Sequence, residues 1–535
     1  MKHLYSFLLS ALVCLSLSAQ NKVSGDSLAA DFHYLVKQLE AAHPDPYTGF
    51  GGKVFFHKQA FNLENELRSQ PHTLQEFWDK SMAFLSFIQD GHTYLFSLAS
   101  KQQQKQSYLP VGFRCIPDGL IVQSLPAAHQ DLLGSLLVGI NGKSMDELLA
   151  RTASLFACEN LYNRYSVFCR NVVRRQFMQQ LLPDLEDTVC FYLRTPDGKD
   201  VTLEQHFMEN EELRKAEKVN LPSWVGCPEE QMAYRFIDKK KEVMMFKVNS
   251  IMARDNFEYM YKHMKGDLLR QMEFYYQNAL KKEMPADTLQ AIRALPSFSG
   301  TFAAMLKEMK KHHSEYLIID LRGNSGGWTP IVLASLYQLY GDKYLQKDMD
   351  TEYYRIVSPL YMNKLEITLE EFNRRYGTDY SFGDYTFSMK EQEDIPLDTL
   401  RRQFIDGCMS SVKEELRAQK GAPVYAPKQV FVVTDERTFS AAFHYAFMLW
   451  KMGATVGVPS GQAPNTFMEQ TLFKLPYTGI EGSISNSVQI FLPGKDKRAK
   501  TFWPDVMLTY DEYKQTGFDK QAEILFLLNK IGQEK

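Results

Sequence analysis

The chain has 535 residues, 44% of them hydrophobic and 23% charged, with a formal net charge of −3. That length predicts two or three domains, and that composition is ordinary for a globular protein. The near-neutral balance offers no electrostatic attraction to nucleic acid or an acidic membrane surface, so neither is expected as a partner, and the basic runs Lys239–Lys241 and Lys495–Lys500 read as solvated faces.

Lys2 and His3 precede an apolar run from Leu4 to Leu17, and Ser18 and Ala19 follow. This is the three-part pattern of a secretory signal peptide over residues 1–19, cut after Ala19. The run is too short for a permanent anchor, and no later stretch is apolar enough to cross a membrane. The protein is therefore expected to be exported, periplasmic or extracellular. Cys115, Cys158, Cys169, Cys190, Cys227 and Cys408 remain, without a C-x-x-C pair or histidines at zinc spacing, so no metal is expected. A chain of this size does not require disulfides, and these cysteines read as small buried hydrophobes.

Residues 20–100 read as a helical domain, with apolar positions at helical spacing in Leu28, Phe32, Leu35 and Leu39 and again in Leu74, Phe77, Met82, Phe84 and Phe87. Pro44 and Pro46 end the first set, and Asp90-Gly91-His92-Thr93 closes the second as a turn. Residues 105–205 carry short β-like runs, Gly119–Ser124 and Leu136–Ile140, the latter closing on the turn pair Asn141-Gly142. That hairpin leading into Met145–Leu149 resembles the end of a PDZ-type module. From residue 206 onward strands and helices alternate: Val243–Val248, a long polar helical stretch to Lys282, helix Phe302–Lys311, strand Tyr316–Leu321, helix Ile331–Tyr340, strand Val430–Thr434, helix Ser440–Met452 and strand Thr455–Val458. This order predicts βαβ units on a largely parallel sheet, an α/β core (α+β overall) over 206–340 and 426–535. The Tyr-, Asp- and Glu-rich segment 341–425 reads as an insertion over that core.

Two segments carry chemistry. In the first, an apolar strand runs through Asp320-Leu321-Arg322 into Gly323-Asn324-Ser325-Gly326-Gly327, a turn whose backbone N–H groups can face a ligand. It lacks the Gly-Lys-Ser/Thr ending of a phosphate loop and the dinucleotide G-x-G-x-x-G spacing. In the second, strand Val430–Thr434 leads through Asp435-Glu436-Arg437 to Thr438-Phe439-Ser440-Ala441-Ala442, a serine opening a helix. A serine there is favoured as a helix cap, or it exposes its hydroxyl above the sheet edge beside the Ala441 N–H.

The two segments together resemble the catalytic core of the tail-specific (C-terminal processing) serine peptidases, a clan that includes the tricorn core protease and the interphotoreceptor retinoid-binding proteins. The resemblance covers roughly residues 80–530 and is densest over 316–330 and 430–465. It implies a crotonase-like fold, Ser440 as nucleophile, and oxyanion N–H groups from Gly326 or Gly327 and from Ala441. One branch of the clan uses a lysine base, but Gln462 stands at that place here. The other uses a histidine from an Asp-Gly-His-Thr segment, which makes His92 the expected base. A neutral imidazole suits that task. Phe443 stands where an acid is usual. The orienting Glu of the histidine branch is matched by the stretch 496–501, where Arg498 is nearest and Asp496 is the available carboxylate. The resemblance implies a peptide or protein substrate and no cofactor. Two other readings remain at this point: a weak or inactive peptide-binding protein on the same fold, and an esterase-type hydrolase.

Overall fold

The computed structural model describes residues 22–98, 106–349, 351–387 and 395–533. Residues 1–19, read above as a signal peptide, lie outside the described residues.

Helix α1 (Gly25–Ala42) buries Leu28, Phe32, Leu35 and Leu39 along one stripe and ends just before the two prolines. Helix α2 (Lys53–Ser69) packs on it, and α3 (Leu74–Ser86) starts at a capping box of Thr73 and Glu76. These helices share their core with Phe473, Leu475 and Ile484 from the far end of the chain. The turn after α3 and the short strand β1 (Tyr94–Leu95) are thus fixed against a distant sheet.

An antiparallel sheet follows, from β2 (Gly112–Ile116), β3 (Gly119–Pro126), β4 (Leu136–Ile140), β5 (Thr188–Arg194) and β6 (Asp200–His206), with Lys218–Asn220 at its edge. Asn141 and Gly142 both have positive φ, 46° and 74°, the turn that their identity predicts. Helix α4 (Met145–Leu155), opened by a capping box of Ser144 and Glu147, and α5 (Leu161–Asn171) close this module.

In the second half, β7 (Met232–Phe236) lies antiparallel to β8 (Val243–Val248). Beyond it β8, β9 (Tyr316–Asp320), β10 (Gln429–Thr434) and β11 (Ala454–Gly457) run parallel, with Phe246, Ile319, Val432 and Thr455 in register. Every residue of β9 is buried. Leu317 and Ile319 pack with α6 (Phe298–His312), α7 (Pro330–Tyr340) and α8 (Ala441–Trp450) on one face. Tyr316 and Ile318 pack with α9 (Ala522–Gln533) on the other. Burial on both faces is why β9 reads as a continuous apolar run rather than an alternating one. Each fully buried aliphatic side chain contributes roughly 1.5–3 kcal/mol.

Two expectations change. The long polar helix to Lys282 is broken into Arg254–His263 and Leu268–Tyr275, and the Gly266 N–H between them donates to Glu366 Oε1 at 2.9 Å. The segment 341–425 does not merely cover the core. Its strand Glu352–Ile356 pairs with β13 (Glu481–Ile490), the same strand that pairs with β1 and with β12 (Thr466–Lys474).

The end of β9 is tied to the C-terminus by buried charges. Arg322 donates to both Asp320 carboxylate oxygens at 2.9 and 2.8 Å and to Glu523 Oε2 at 2.7 Å. Arg114 binds Glu523 from the β-module at 2.8 and 3.0 Å. Burial would raise the Asp320 carboxyl, but Arg322 and Lys247 hold it far below the usual range. Among the described residues all six cysteines are free.

Candidate active site

The Gly-Gly turn after β9 and the serine turn after β10 lie side by side because their strands are parallel neighbours. The Gly323 N–H donates to Asp435 Oδ2 at 2.9 Å, and the Phe439 N–H donates to the Asn324 carbonyl at 3.0 Å. Gly326 has φ of 107°, and a Cβ there would sit 2.6 Å from Ser440 Cβ and 2.9 Å from the Ala441 nitrogen. Only glycine fits.

Ser440 opens α8 with φ 53° and ψ −128°, left-handed backbone that costs a non-glycine residue on the order of 1–3 kcal/mol. Its side chain makes no capping bond, so the cap reading of this serine is set aside. Its N–H donates to Oε1 of the buried Gln462. A lysine at that place has no acceptor to offer, and here the side chain holds the serine backbone in its strained turn.

The predicted oxyanion donors separate. The Gly326 N–H is already committed to Asn324 Oδ1 at 2.9 Å, so it is withdrawn as a donor. The N–H groups of Gly327 and Ala441 have no partner among the described residues. Gly327 lines the same cavity as Ser440.

His92 arrives from the turn after α3. Asp90, fully buried, accepts from the His92 N–H at 2.9 Å and from the Thr93 hydroxyl. His43 Nδ1 accepts from the Asp45 N–H at 3.1 Å, which leaves Nε2–H to donate to Asp90 at 3.2 Å. Burial would raise the Asp90 carboxyl, yet the hydrogen bond from His43 and the electrostatic pull of the two neighbouring imidazoles bring it down to about 2. The Gly91 backbone lies against Phe439, whose ring a Cβ would meet at 2.6 Å. The His92 ring stacks on that same ring at 4.9 Å between centroids.

His92 is 5% exposed, and neither ring nitrogen is hydrogen-bonded. Burial lowers its pKa, against the pull of Asp90, so the imidazole is neutral at neutral pH. His92 and Ser440 line one cavity of about 1060 Å³, without a hydrogen bond between them. Such pairs are often loose without substrate.

Asp496 is not the acid beside His92. Its carboxylate is bound to Arg498 at 3.1 and 2.8 Å, and that Arg lies over the Trp450 ring. The Arg498 hydrogen bonds bring Asp496 down to about 2. Instead, His92 Nδ1 faces Asp90 Oδ1 at 3.8 Å and Glu159 Oε1 at 3.9 Å. Glu159, before α5, was missed by the sequence reading. Its carboxylate accepts from the Ala463 N–H at 2.8 Å and the Gly91 N–H at 3.3 Å, and burial plus the Asp90 charge push its pKa well up. No local motif marks it, although Phe156, Ala157 and Asn163 around it line the same cavity. Asp90, His92 and Glu159 also offer ligand atoms within 4.8 Å of one another, the set a divalent cation would use. Their carboxylate oxygens already accept from the His92, Gly91 and Ala463 amides and, at Asp90 Oδ2, from His43 and Thr93.

Phe443, where an acid is usual, stacks on Phe491 in an aromatic cluster. His444, one turn after Ser440, bonds Thr329 Oγ1 at 2.8 Å and Gln489 Oε1 at 2.7 Å. With both nitrogens engaged, it is a support rather than a second base.

Residues 291–478, which hold the Gly-Gly turn, Ser440 and Gln462, match the model of peptidase family S41. Over that segment the chain is similar to peptidase family S41. Among solved structures, mature CPAF is similar with a TM-score of 0.55 at 14% identity, over 95% of this chain and 98% of that one. Mature CPAF complexed with lactacystin gives 0.53 at 14% identity, over 94% and 97%. At that identity the likeness is one of fold, and it spans the N-terminal helices as well as the core. No curated protein sequence matches the chain.

Proposed function

We propose that this chain is an exported serine peptidase of the S41 type that cleaves peptide bonds through an acyl-enzyme on Ser440, with His92 as general base. One observation carries the reading: a serine in strained backbone, its hydroxyl unbonded among the described residues, faces the same cavity as a neutral histidine backed by two buried carboxyls. Ser440 Oγ attacks the peptide carbonyl while His92 takes its proton. The N–H groups of Gly327 and Ala441 receive the developing oxyanion. The imidazolium is stabilised by the Asp90 carboxylate facing Nδ1, with Glu159 beside it, then gives its proton to the leaving amine. Water attacks the acyl-enzyme through the same base. Export rests on the Lys2–Ala19 pattern, and detection of the mature chain outside the cytoplasm with Gln20 as its first residue tests it.

A fluorophosphonate probe tests the mechanism. Labelling that disappears in Ser440→Ala and falls sharply in His92→Ala is expected; an unlabelled wild-type protein that also cleaves no peptide ends the proposal. The second reading, a peptide-binding protein of little turnover, is favoured by one observation, the open hydrogen bonds at both His92 nitrogens. Hydrolysis of matched peptide and ester substrates separates peptidase from esterase.

A further inference from the structure

Three buried groups converge at His92. Its Nδ1 stands 3.8 Å from Asp90 Oδ1 and 3.9 Å from Glu159 Oε1, and one ligand atom from each of the three residues lies within 4.8 Å of the other two. Both carboxyl side chains are fully buried. The ring points Nδ1 at the two acids, yet neither of its nitrogens has a hydrogen-bond partner. A buried imidazole left open in this way is costly, and it is the member of the cluster that calls for a ligand.

The two facing oxygens are held in place without being used up. Asp90 Oδ1 accepts from the His92 N–H at 2.9 Å, while His43 and Thr93 bond its other oxygen. Glu159 Oε1 accepts from the Gly91 N–H at a long 3.3 Å, while the Ala463 N–H bonds Oε2 at 2.8 Å. An ionised carboxylate oxygen has two lone-pair directions, so each can still serve a cation. Ligand atoms around a tetrahedral zinc ion stand about 3.4 Å apart, so the observed spacing closes with shifts of a few tenths of an ångström. Asp90, Gly91 and His92 line the cavity that holds Ser440, which gives an ion its way in.

We propose that His92 Nδ1, Asp90 Oδ1 and Glu159 Oε1 form a site for one divalent cation of the zinc class, and that the ion switches off the base, a role that rests on the serine-peptidase function above. One imidazole with two carboxylates and a water suits zinc, whereas magnesium and calcium favour six or more oxygens. Two ionised carboxylates side by side repel each other, and a dication between them removes that repulsion. Any proton on Glu159 leaves to solvent as the ion binds. A metal on Nδ1 keeps the one proton of the neutral ring on Nε2. The ring then has no lone pair with which to take the Ser440 proton, although the cavity itself stays open.

Binding is read on the full chain carrying Ser440→Ala, by calorimetric titration with zinc chloride and by the visible absorption of cobalt(II). One equivalent per chain is expected, with calcium and magnesium chlorides at least about tenfold weaker. Glu159→Gln, which keeps the shape of the side chain, and His92→Ala should each weaken zinc at least about tenfold and remove the cobalt bands, since even an outer-shell partner is worth that much. His57→Ala, an exposed histidine that meets Glu40, should bind as before. Metal-free melting curves show that each variant is folded, and Glu159→Gln decides alone if His92→Ala is not. With Ser440 restored, zinc should suppress peptide hydrolysis with the midpoint of binding, and EDTA should bring it back. No stoichiometric binding, binding unchanged in Glu159→Gln and His92→Ala, or binding that leaves hydrolysis intact overturns the proposal. If the wild-type chain cuts no peptide, the peptidase reading has failed by itself, and the titrations on Ser440→Ala still judge the metal site.

Discussion

Glu159 Oε1 lies 3.9 Å from His92 Nδ1, and the same carboxylate accepts from the Gly91 N–H beside that histidine. The acids that face the ring are therefore Asp90 and, from the segment before α5, Glu159, not the stretch near Asp496. Glu159→Gln should cost roughly 10²–10⁴ in kcat/KM, the range seen when a triad loses its orienting acid. Asp496→Asn should change kcat/KM by less than about twofold, because that carboxylate is spent on Arg498. Steady-state kinetics on both variants decides between the two acids, and the reverse pattern would restore Asp496.

Gln462 gives a second contrast. Its Oε1 accepts from the Ser440 N–H, so Gln462→Lys places a cationic donor where an acceptor is needed. We expect lower kcat and a stability loss of about 1–3 kcal/mol. Gln462→Glu keeps an acceptor and should lose less. An increase in activity in Gln462→Lys would mean that a lysine base works in this site after all.

His444 makes stability depend on pH. Burial, which the Gln489 hydrogen bond only partly offsets, lowers its pKa from 6.5 to about 4. A depressed folded pKa means the contribution is fully present above 6.5 and is lost as pH falls toward 4. The loss over that window is on the order of 3 kcal/mol. Urea unfolding at pH 7.5 and 4.5 should show it, and His444→Gln should flatten that part of the curve.

The two turn glycines Gly326 and Gly323 should respond differently to alanine. At Gly326 the new Cβ falls 2.6 Å from Ser440 Cβ, so Gly326→Ala should lose all measurable hydrolysis along with about 2–4 kcal/mol of stability. At Gly323 no atom lies within 4 Å and only the φ of 78° resists, so Gly323→Ala should cost about 1 kcal/mol and stay active. Thermal melts and probe labelling of the two variants check this.

The core was legible because its strands are buried on both faces and end in unusual turns. The apolar run at Tyr316, the Gly326-Gly327 pair and the serine after Phe439 each announce a local conformation, and the parallel pairing of β9 with β10 brings them together. Asn141-Gly142 was legible for the same local reason. The donor role of Gly326 was not, since it depends on where the Asn324 side chain turns. Glu159 was not either, because its meaning lies in three contacts made by residues far away in sequence. The strand Glu352–Ile356 was read as part of a covering insertion because its partner β13 lies more than a hundred residues later.

The buried charges around Glu523 have a consequence for biosynthesis. The Gly-Gly turn is braced through Arg322 by a residue 201 positions further along the chain. His92 leaves the ribosome early and Ser440 much later, but the brace closes only when α9 has emerged. The turn that carries Gly326 and Gly327 is therefore braced only once β9, the β-module and α9 have come together around one carboxylate.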